Sequence, residues 1–237
     1  MAASQWFKPI LTALFPDRCL FCGEPVSPGV CCCPRCLEAL PFAPPPDPRP
    51  GPAAPGADPD PFGWRTSPFL YTGGVRRAIA QLKFYGHREA AGFFAPYLAR
   101  AVRACGGPDY RPDWVVPVPM APQRLAQRGY NQAELLAAAA AELLGVRCRT
   151  DVLQRSGGLV QHELSARMRR LEARTSFTLA PGADPAGRRI LLVDDIFTTG
   201  STLDRCAWLL RDAGAAEVDG VTAAVTPRKT QQNVAFL

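Results

Sequence analysis

Hydrophobic positions recur along this chain with two alternating periods. Val75, Ala78, Ile79 and Leu82 repeat at helical spacing. So do Phe94, Tyr97, Leu98 and Ala101, and then Ala133, Leu136, Ala137, Ala140 and Leu144. Residues 201–213 read as a further helix that stops at Gly214. Between the helices lie short apolar runs: SPFLY at 67–71, DWVVPVP at 113–119, RRILLVDD at 188–195 and EVDGVTAAV at 217–225. The run at 188–195 is apolar at consecutive positions, so both of its faces are covered, as in the centre of a parallel sheet. Strands alternating with helices from Phe62 onward predict an α/β domain over 62–237 with a mostly parallel sheet and flanking helices. Ligands of such sheets bind beyond the carboxyl ends of the strands.

Upstream of Phe62 the pattern breaks. Residues 43–61 hold nine Pro among 19 positions, which excludes helix and central strand and predicts an extended linker. The linker sets residues 1–42 apart from the main domain. Six of the nine Cys fall between Cys19 and Cys36. Cys19-Leu20-Phe21-Cys22 and Cys33-Pro34-Arg35-Cys36 form two CxxC pairs, and each pair can grip one ion from a tight turn. Gly23 helps the first turn. We expect a structural zinc held by Cys19, Cys22, Cys33 and Cys36, with its shell closed and no catalysis at the metal. Cys31 or Cys32 in place of Cys33 is the alternative ligand choice. The opening stretch MAASQWFKPILTALFPDRC carries Lys8 and Pro9 inside its apolar run and has no small-x-small site before Cys19. It reads as an amphipathic arm rather than an export signal. A free-thiol cluster without such a signal predicts a cytoplasmic setting.

Charge changes the picture modestly. The net charge is +6, and of 27 basic residues only Lys8, Lys83 and Lys229 are lysine. An arginine bias suits phosphate recognition, but Ala, Pro and Gly are abundant too, so biased composition accounts for much of it. The charge permits a polyanionic partner without establishing one. The longest apolar run, 135–141, has seven residues. That is far short of the ~20 needed to cross a bilayer as a helix, so no membrane-spanning helix is expected.

The chemistry concentrates at Ile190-Leu191-Leu192-Val193-Asp194-Asp195-Ile196-Phe197-Thr198-Thr199-Gly200-Ser201-Thr202. A buried strand delivers two carboxylates at its carboxyl end, and a small, hydroxyl-rich loop leads into a helix. Backbone N–H groups at such a helix start favour an anion. Thr198, Thr199, Ser201 and Thr202 add hydroxyl donors, and Gly200 permits close approach. Asp194 and Asp195 can accept from vicinal hydroxyls directly or through a metal ion. A carboxylate pair beside a phosphate cradle is what a ribose 5-phosphate requires. A plain turn has no reason to accept the electrostatic cost of adjacent Asp residues. A receiver domain places its acidic pair near its start, whereas only 42 residues follow Asp195.

This stretch resembles the signature of type I phosphoribosyltransferases, which bind phosphoribosyl pyrophosphate (PRPP). With the two CxxC pairs ahead of it, LKFYGHRE at 82–89, PVPMAPQRLAQRGYNQAELLA at 117–137 and QHELSAR at 161–167, the chain resembles the ComF family of competence-associated phosphoribosyltransferase-like proteins. The resemblance implies that Asp194 and Asp195 contact the ribose hydroxyls and that Thr198 through Thr202 hold the 5-phosphate, with Mg²⁺ accompanying PRPP. It implies that Pro117, Val118 and Pro119 face pyrophosphate. Arg124 and Arg128 then pair with phosphate oxygens or with a nucleic-acid backbone. Arg155 to Arg174 matches the hood over the site. That segment carries Arg155, Arg167, Arg169, Arg170 and Arg174 against Glu163 and Glu172, which also suits a solvated helix face. His87 and His162 sit in no motif that would make either a base, and Met120, Tyr130 and Phe197 are expected to pack.

Three functions fit this reading. The first is a module that binds PRPP and serves the uptake and processing of single-stranded DNA beside a helicase-type partner. The second is an active transferase that moves phosphoribosyl from PRPP to a nucleophile in nucleotide metabolism, by positioning and charge stabilisation. The third, a pure scaffold, leaves the acidic motif unused. Oligomer formation is compatible with all three.

Overall fold

The computed structural model describes residues 17–45, 60–155 and 177–227. The expected hood, apart from Arg155, and most of the linker fall outside these residues, as do Lys8, His162 and Lys229.

In chain order the elements are α1 (Pro34–Glu38), β1 (Arg65–Thr66), β2 (Phe69–Leu70), α2 (Gly73–Phe84), α3 (Ala90–Gly106), β3 (Trp114–Pro117) and α4 (Pro122–Arg128). There follow α5 (Gln132–Leu144), β4 (Arg147–Cys148), β5 (Leu153–Arg155), β6 (Phe177–Leu179), β7 (Arg189–Phe197), α6 (Ser201–Asp212) and β8 (Glu217–Val225). The main sheet runs β1/β2–β8–β7–β3–β4, and every neighbouring pair in it is parallel. β5 and β6 form a separate antiparallel pair with Arg155 opposite Phe177.

Of the expected SPFLY strand only Phe69 and Leu70 pair with β8, as β2, and the separate short β1 pairs with β8 just before it. Pro68 has no N–H to give the ladder, and the Ser67 hydroxyl instead meets the Thr222 hydroxyl at 2.6 Å. β7 lies at the sheet centre, and its side chains alternate between two cores as strand geometry requires. Leu191 and Val193 join the core under α2, α3 and α5, while Ile190 and Leu192 join the one under α6. The stripe of α3 is rotated from the expected one. Phe94 and Leu98 are buried, but Ala95, Ala99 and Val102 complete the face, and Tyr97 sits half-buried against Phe69 at 4.9 Å.

The cysteine module packs onto the sheet domain. Leu20, Phe21 and Leu40 belong to the same core as Phe69 and Phe94. Phe21 meets Phe93 edge-on at 4.8 Å, and Leu70 N–H donates to the Pro41 carbonyl at 2.8 Å. Arg77 of α2 donates to the Cys22 carbonyl at 3.1 Å.

Candidate functional site

A cavity of about 680 Å³ opens at the carboxyl ends of β3 and β7. Its wall includes Asp194 and Asp195 from β7, Val118 and Pro119 from the end of β3, Arg124 and Arg128 from α4, and Thr202 from α6. Pro117 closes β3 beneath it, buried and paired with Val193. Thr198 and Thr199 on the loop after β7, and Ser201 at the start of α6, are exposed and do not line the cavity. Gly200 caps α6 in the left-handed conformation at φ 81°. A Cβ there would come within 2.7 Å of the Phe197 ring, so the turn demands glycine. No side chain caps the start of α6, leaving its first-turn amides for an anion.

The period-two geometry of β7 sends its adjacent carboxylates to opposite faces. Asp195 follows Leu191 and Val193 toward α2 and α5. There its Oδ1 pairs with Lys83 Nζ at 2.9 Å and its Oδ2 accepts from Gln132. Arg128 in turn donates to Gln132 Oε1. Both oxygens of Asp195 are therefore engaged, and the residue is buried. Asp194 follows Ile190 and Leu192 toward α6 and Arg155. Its Oδ1 accepts the Asp195 N–H at 2.8 Å. Burial first, and the Asp195 carboxylate second, push the Asp194 carboxyl up to about 8. Two adjacent acids thus occupy unlike environments, one paired with a lysine and the other making no ion pair among the described residues.

Among the described residues four cations, Lys83, Arg124, Arg128 and Arg155, line the cavity against two carboxylates. Arg155 sits with its guanidinium 4.9 Å from the Phe177 ring centre, and burial followed by the nearby Arg124 lowers its pKa. A low-dielectric wall with surplus positive charge suits a polyanion. Asp194, Asp195, Arg124 and Arg128, singled out in the sequence, line the cavity, as does Arg155, the first residue of the expected hood; Lys83 and Gln132, not singled out there, line it as well. Tyr130 also lines the cavity, and its hydroxyl donates to the Leu82 carbonyl, which holds the end of α2. Phe197 packs beneath Arg65, 5.4 Å from its guanidinium carbon, and Met120 lines the cavity. His87 lies outside it, exposed and 2.6 Å from Glu89.

The second candidate centre is the cysteine group. The sulfurs of Cys19, Cys22, Cys33 and Cys36 all lie within 4.8 Å of one another. Gly23, at φ 82°, lets the first CxxC turn close, and Cys33 sits at the start of α1. Cys31 and Cys32 stay outside the four. Four sulfurs converging from two turns match the donor set of a tetrahedral thiophilic metal. Among the described residues no helix is long and apolar enough to cross a membrane.

Over residues 131–235 the chain matches the phosphoribosyl transferase domain family. It is 34% identical over 205 residues to the DNA utilization protein YhgH of Salmonella typhi, covering 84% of this chain and 80% of that one. It is 38% identical over 109 residues to competence protein F of Haemophilus influenzae, covering 45% of this chain and 48% of that one. With competence protein ComFC of Streptococcus pneumoniae it shares 32% identity over 151 residues, 63% of either chain. Among solved structures, the allosteric regulatory enzyme of purine biosynthesis aligns with a TM-score of 0.43 at 21% identity, over 60% of this chain and 29% of that one. A likeness of one residue in three, sustained over four-fifths or more of both chains in the first of these relatives, places the protein in the ComF family of phosphoribosyltransferase-like proteins.

Proposed function

We propose that this protein binds PRPP with Mg²⁺ in the cavity at the end of β7 and serves the handling of single-stranded DNA during uptake. The observation that carries the reading is the convergence, in one 680 Å³ cavity, of Asp194 and Asp195 with Lys83, Arg124, Arg128 and Arg155. The acidic end of the central strand suits the ribose hydroxyls, and the surplus cations suit the phosphates. The uncapped start of α6, with Gly200 and Thr202, suits the 5-phosphate, and Thr198, Thr199 and Ser201 are the hydroxyls nearest to it in the chain. Val118, Pro119, Arg124 and Arg128 also line the cavity, and pyrophosphate would lie against them.

Asp194 is the acid of the pair with carboxylate capacity to spare, since both Asp195 oxygens have partners. It is therefore the residue that would hold Mg²⁺, which when bound supplies charge neutralisation for the pyrophosphate oxygens. The chain itself positions and neutralises its ligand. Among the described residues no histidine lines the cavity. Zinc is the metal we assign to the four cysteines, as a structural ion in a cytoplasmic protein. The DNA role rests on the names of the relatives, which include two competence proteins and a DNA utilization protein. A helicase-type partner rests on the family resemblance.

Calorimetric titration of PRPP with Mg²⁺ tests the site. Wild type should bind, and Asp194→Asn/Asp195→Asn should not while keeping its fold by circular dichroism. Equal binding by both proteins would sink the assignment.

A further inference from the structure

Arg65 of β1 does not line the cavity, yet it grips the first turn of α6. Its guanidinium donates to Asp204 Oδ1 at 2.8 Å and to Asp60 Oδ2 at 2.9 Å. The same group stands 5.3 Å from the centre of the Phe62 ring and 5.4 Å from that of Phe197. Two carboxylates and two rings thus fix one fork. Room for it comes from β8, where Arg65 is paired with Gly220. A Cβ on Gly220 would meet the Phe62 ring at 3.0 Å and the Arg65 Cβ at 3.4 Å. The groups that Arg65 holds are those that shape the loop before α6. A Cβ on Gly200 would come within 2.7 Å of the Phe197 ring and 3.2 Å of Asp204 Oδ2. The Asp204 N–H donates to the Gly200 carbonyl at 2.8 Å. Asp204 is also the acid of the first turn of α6, at the helix end whose free amides favour an anion. Left unpaired, its carboxylate would repel a phosphate there.

We infer that Arg65 is a positioning residue for the 5-phosphate: without touching the ligand, it neutralises Asp204 and pins Phe197 against Gly200. This rests on the phosphoribosyl reading for the identity of the anion. Through Asp60 the same bridge ties the end of the Pro-rich stretch to the phosphate loop.

The test is calorimetry with two separate probes, ribose 5-phosphate and inorganic pyrophosphate with Mg²⁺. The proteins are wild type, Arg65→Met, Arg65→Lys, Asp204→Asn and Arg65→Met/Asp204→Asn. Met keeps an apolar stem beside the two rings. Arg65→Met should bind ribose 5-phosphate about tenfold more weakly, the scale of one uncompensated charge near a partly solvated anion. Its affinity for pyrophosphate should stay close to that of wild type, because Lys83, Arg124 and Arg128 are untouched. Asp204→Asn in that background should recover the loss, and Arg65→Lys, which keeps the charge, should lose less than Arg65→Met. A merely structural Arg65 would weaken both probes together, and removing Asp204 would not restore either. Ribose 5-phosphate affinity that is unchanged in Arg65→Met, that falls in step with pyrophosphate, or that stays low in the double variant overturns the proposal. Should Arg65→Met not fold, Asp204→Asn alone decides: it should bind ribose 5-phosphate at least as tightly as wild type, and weaker binding overturns the proposal. Should wild type bind neither ribose 5-phosphate nor PRPP, the phosphoribosyl reading falls and takes this role with it. Should wild type bind both and Arg65→Met match it, only the role of Arg65 falls.

Discussion

Replacing Lys83 by Met would strip the counter-ion from a carboxylate that is almost wholly buried. The Asp195 side chain is 7% exposed and its Lys83 partner 19%, at a separation of 2.9 Å. Removing one member of such a pair strands a buried charge and costs about 3–5 kcal/mol. Met conserves the length of the stem, so little of that cost arises from lost packing. A domain of this size loses roughly 2–4 °C per kcal/mol, so Lys83→Met should melt about 6–20 °C below wild type at pH 7.5. Asp195→Asn introduced into Lys83→Met removes the stranded charge and keeps an acceptor for Gln132, so it should recover most of the loss. Urea denaturation of the four proteins in this cycle reads the coupling, with an expected value of about 2 kcal/mol or more. A coupling below about 0.5 kcal/mol would refute the reasoning, because it would mean the two charges do not meet in the folded protein.

Two other outcomes can be checked directly. At the opposite end of the sheet, the fully buried Asp219 accepts from Tyr110 Oη at 2.6 Å and from Trp64 N–H at 3.1 Å. Burial pushes its carboxyl from 3.8 up to about 6. The folded state therefore holds this proton more tightly than the unfolded chain, and the stability it contributes is full below pH 4 and lost as pH rises through about 6. The loss is roughly 3 kcal/mol at 1.36 kcal/mol per unit, and Asp219→Asn should flatten that part of a pH-resolved denaturation series; an unchanged slope would count against it. For the cysteine group, metal analysis of protein prepared without chelator should find one zinc per chain, absent from Cys19→Ser/Cys22→Ser. Because Leu20 and Phe21 share the core of Phe69 and Phe94, metal loss should lower the melting of the whole domain rather than of a separate module. A second, independent melting step would contradict that packing.

Periodicity and spacing were enough to place the long elements and the sulfur cluster, because each is coded locally. β7 is legible from Ile190 through Val193, whose consecutive apolar residues face two cores. The four cysteines are legible from their spacing within two turns. α4 was not, since Pro122–Arg128 buries no residue and offers no apolar stripe. Lys83 and Gln132 were missed for another reason. Gln132 lies 63 positions from Asp195 in sequence, and nothing local to it marks the contact. The division of Asp194 and Asp195 between two faces follows from strand period alone, and the motif reading that treated them as one unit concealed it. Lys83 had a faint signal as a single lysine inside LKFYGHRE, in a chain whose basic residues are otherwise arginine but for Lys8 and Lys229.

The position of β8 has a consequence for how this protein comes into being. The last strand of the sheet lies between the first two and the centre, pairing Arg65 with Gly220 and Phe69 with Ala224 on one side and Ile190 with Val218 on the other. While the chain is being synthesised, β1 and β2 therefore lack their parallel strand partner, β2 having only its bridge to Phe42, until the strand some 150 residues downstream has left the ribosome, and closing so long a loop makes for slow folding. The cysteine turns need no such wait, because their ligands lie within 18 residues of one another, from Cys19 to Cys36. A nascent chain that captures its metal early would hold the apolar side chains of Leu20 and Phe21 in place, ready for α3 and the late-arriving sheet.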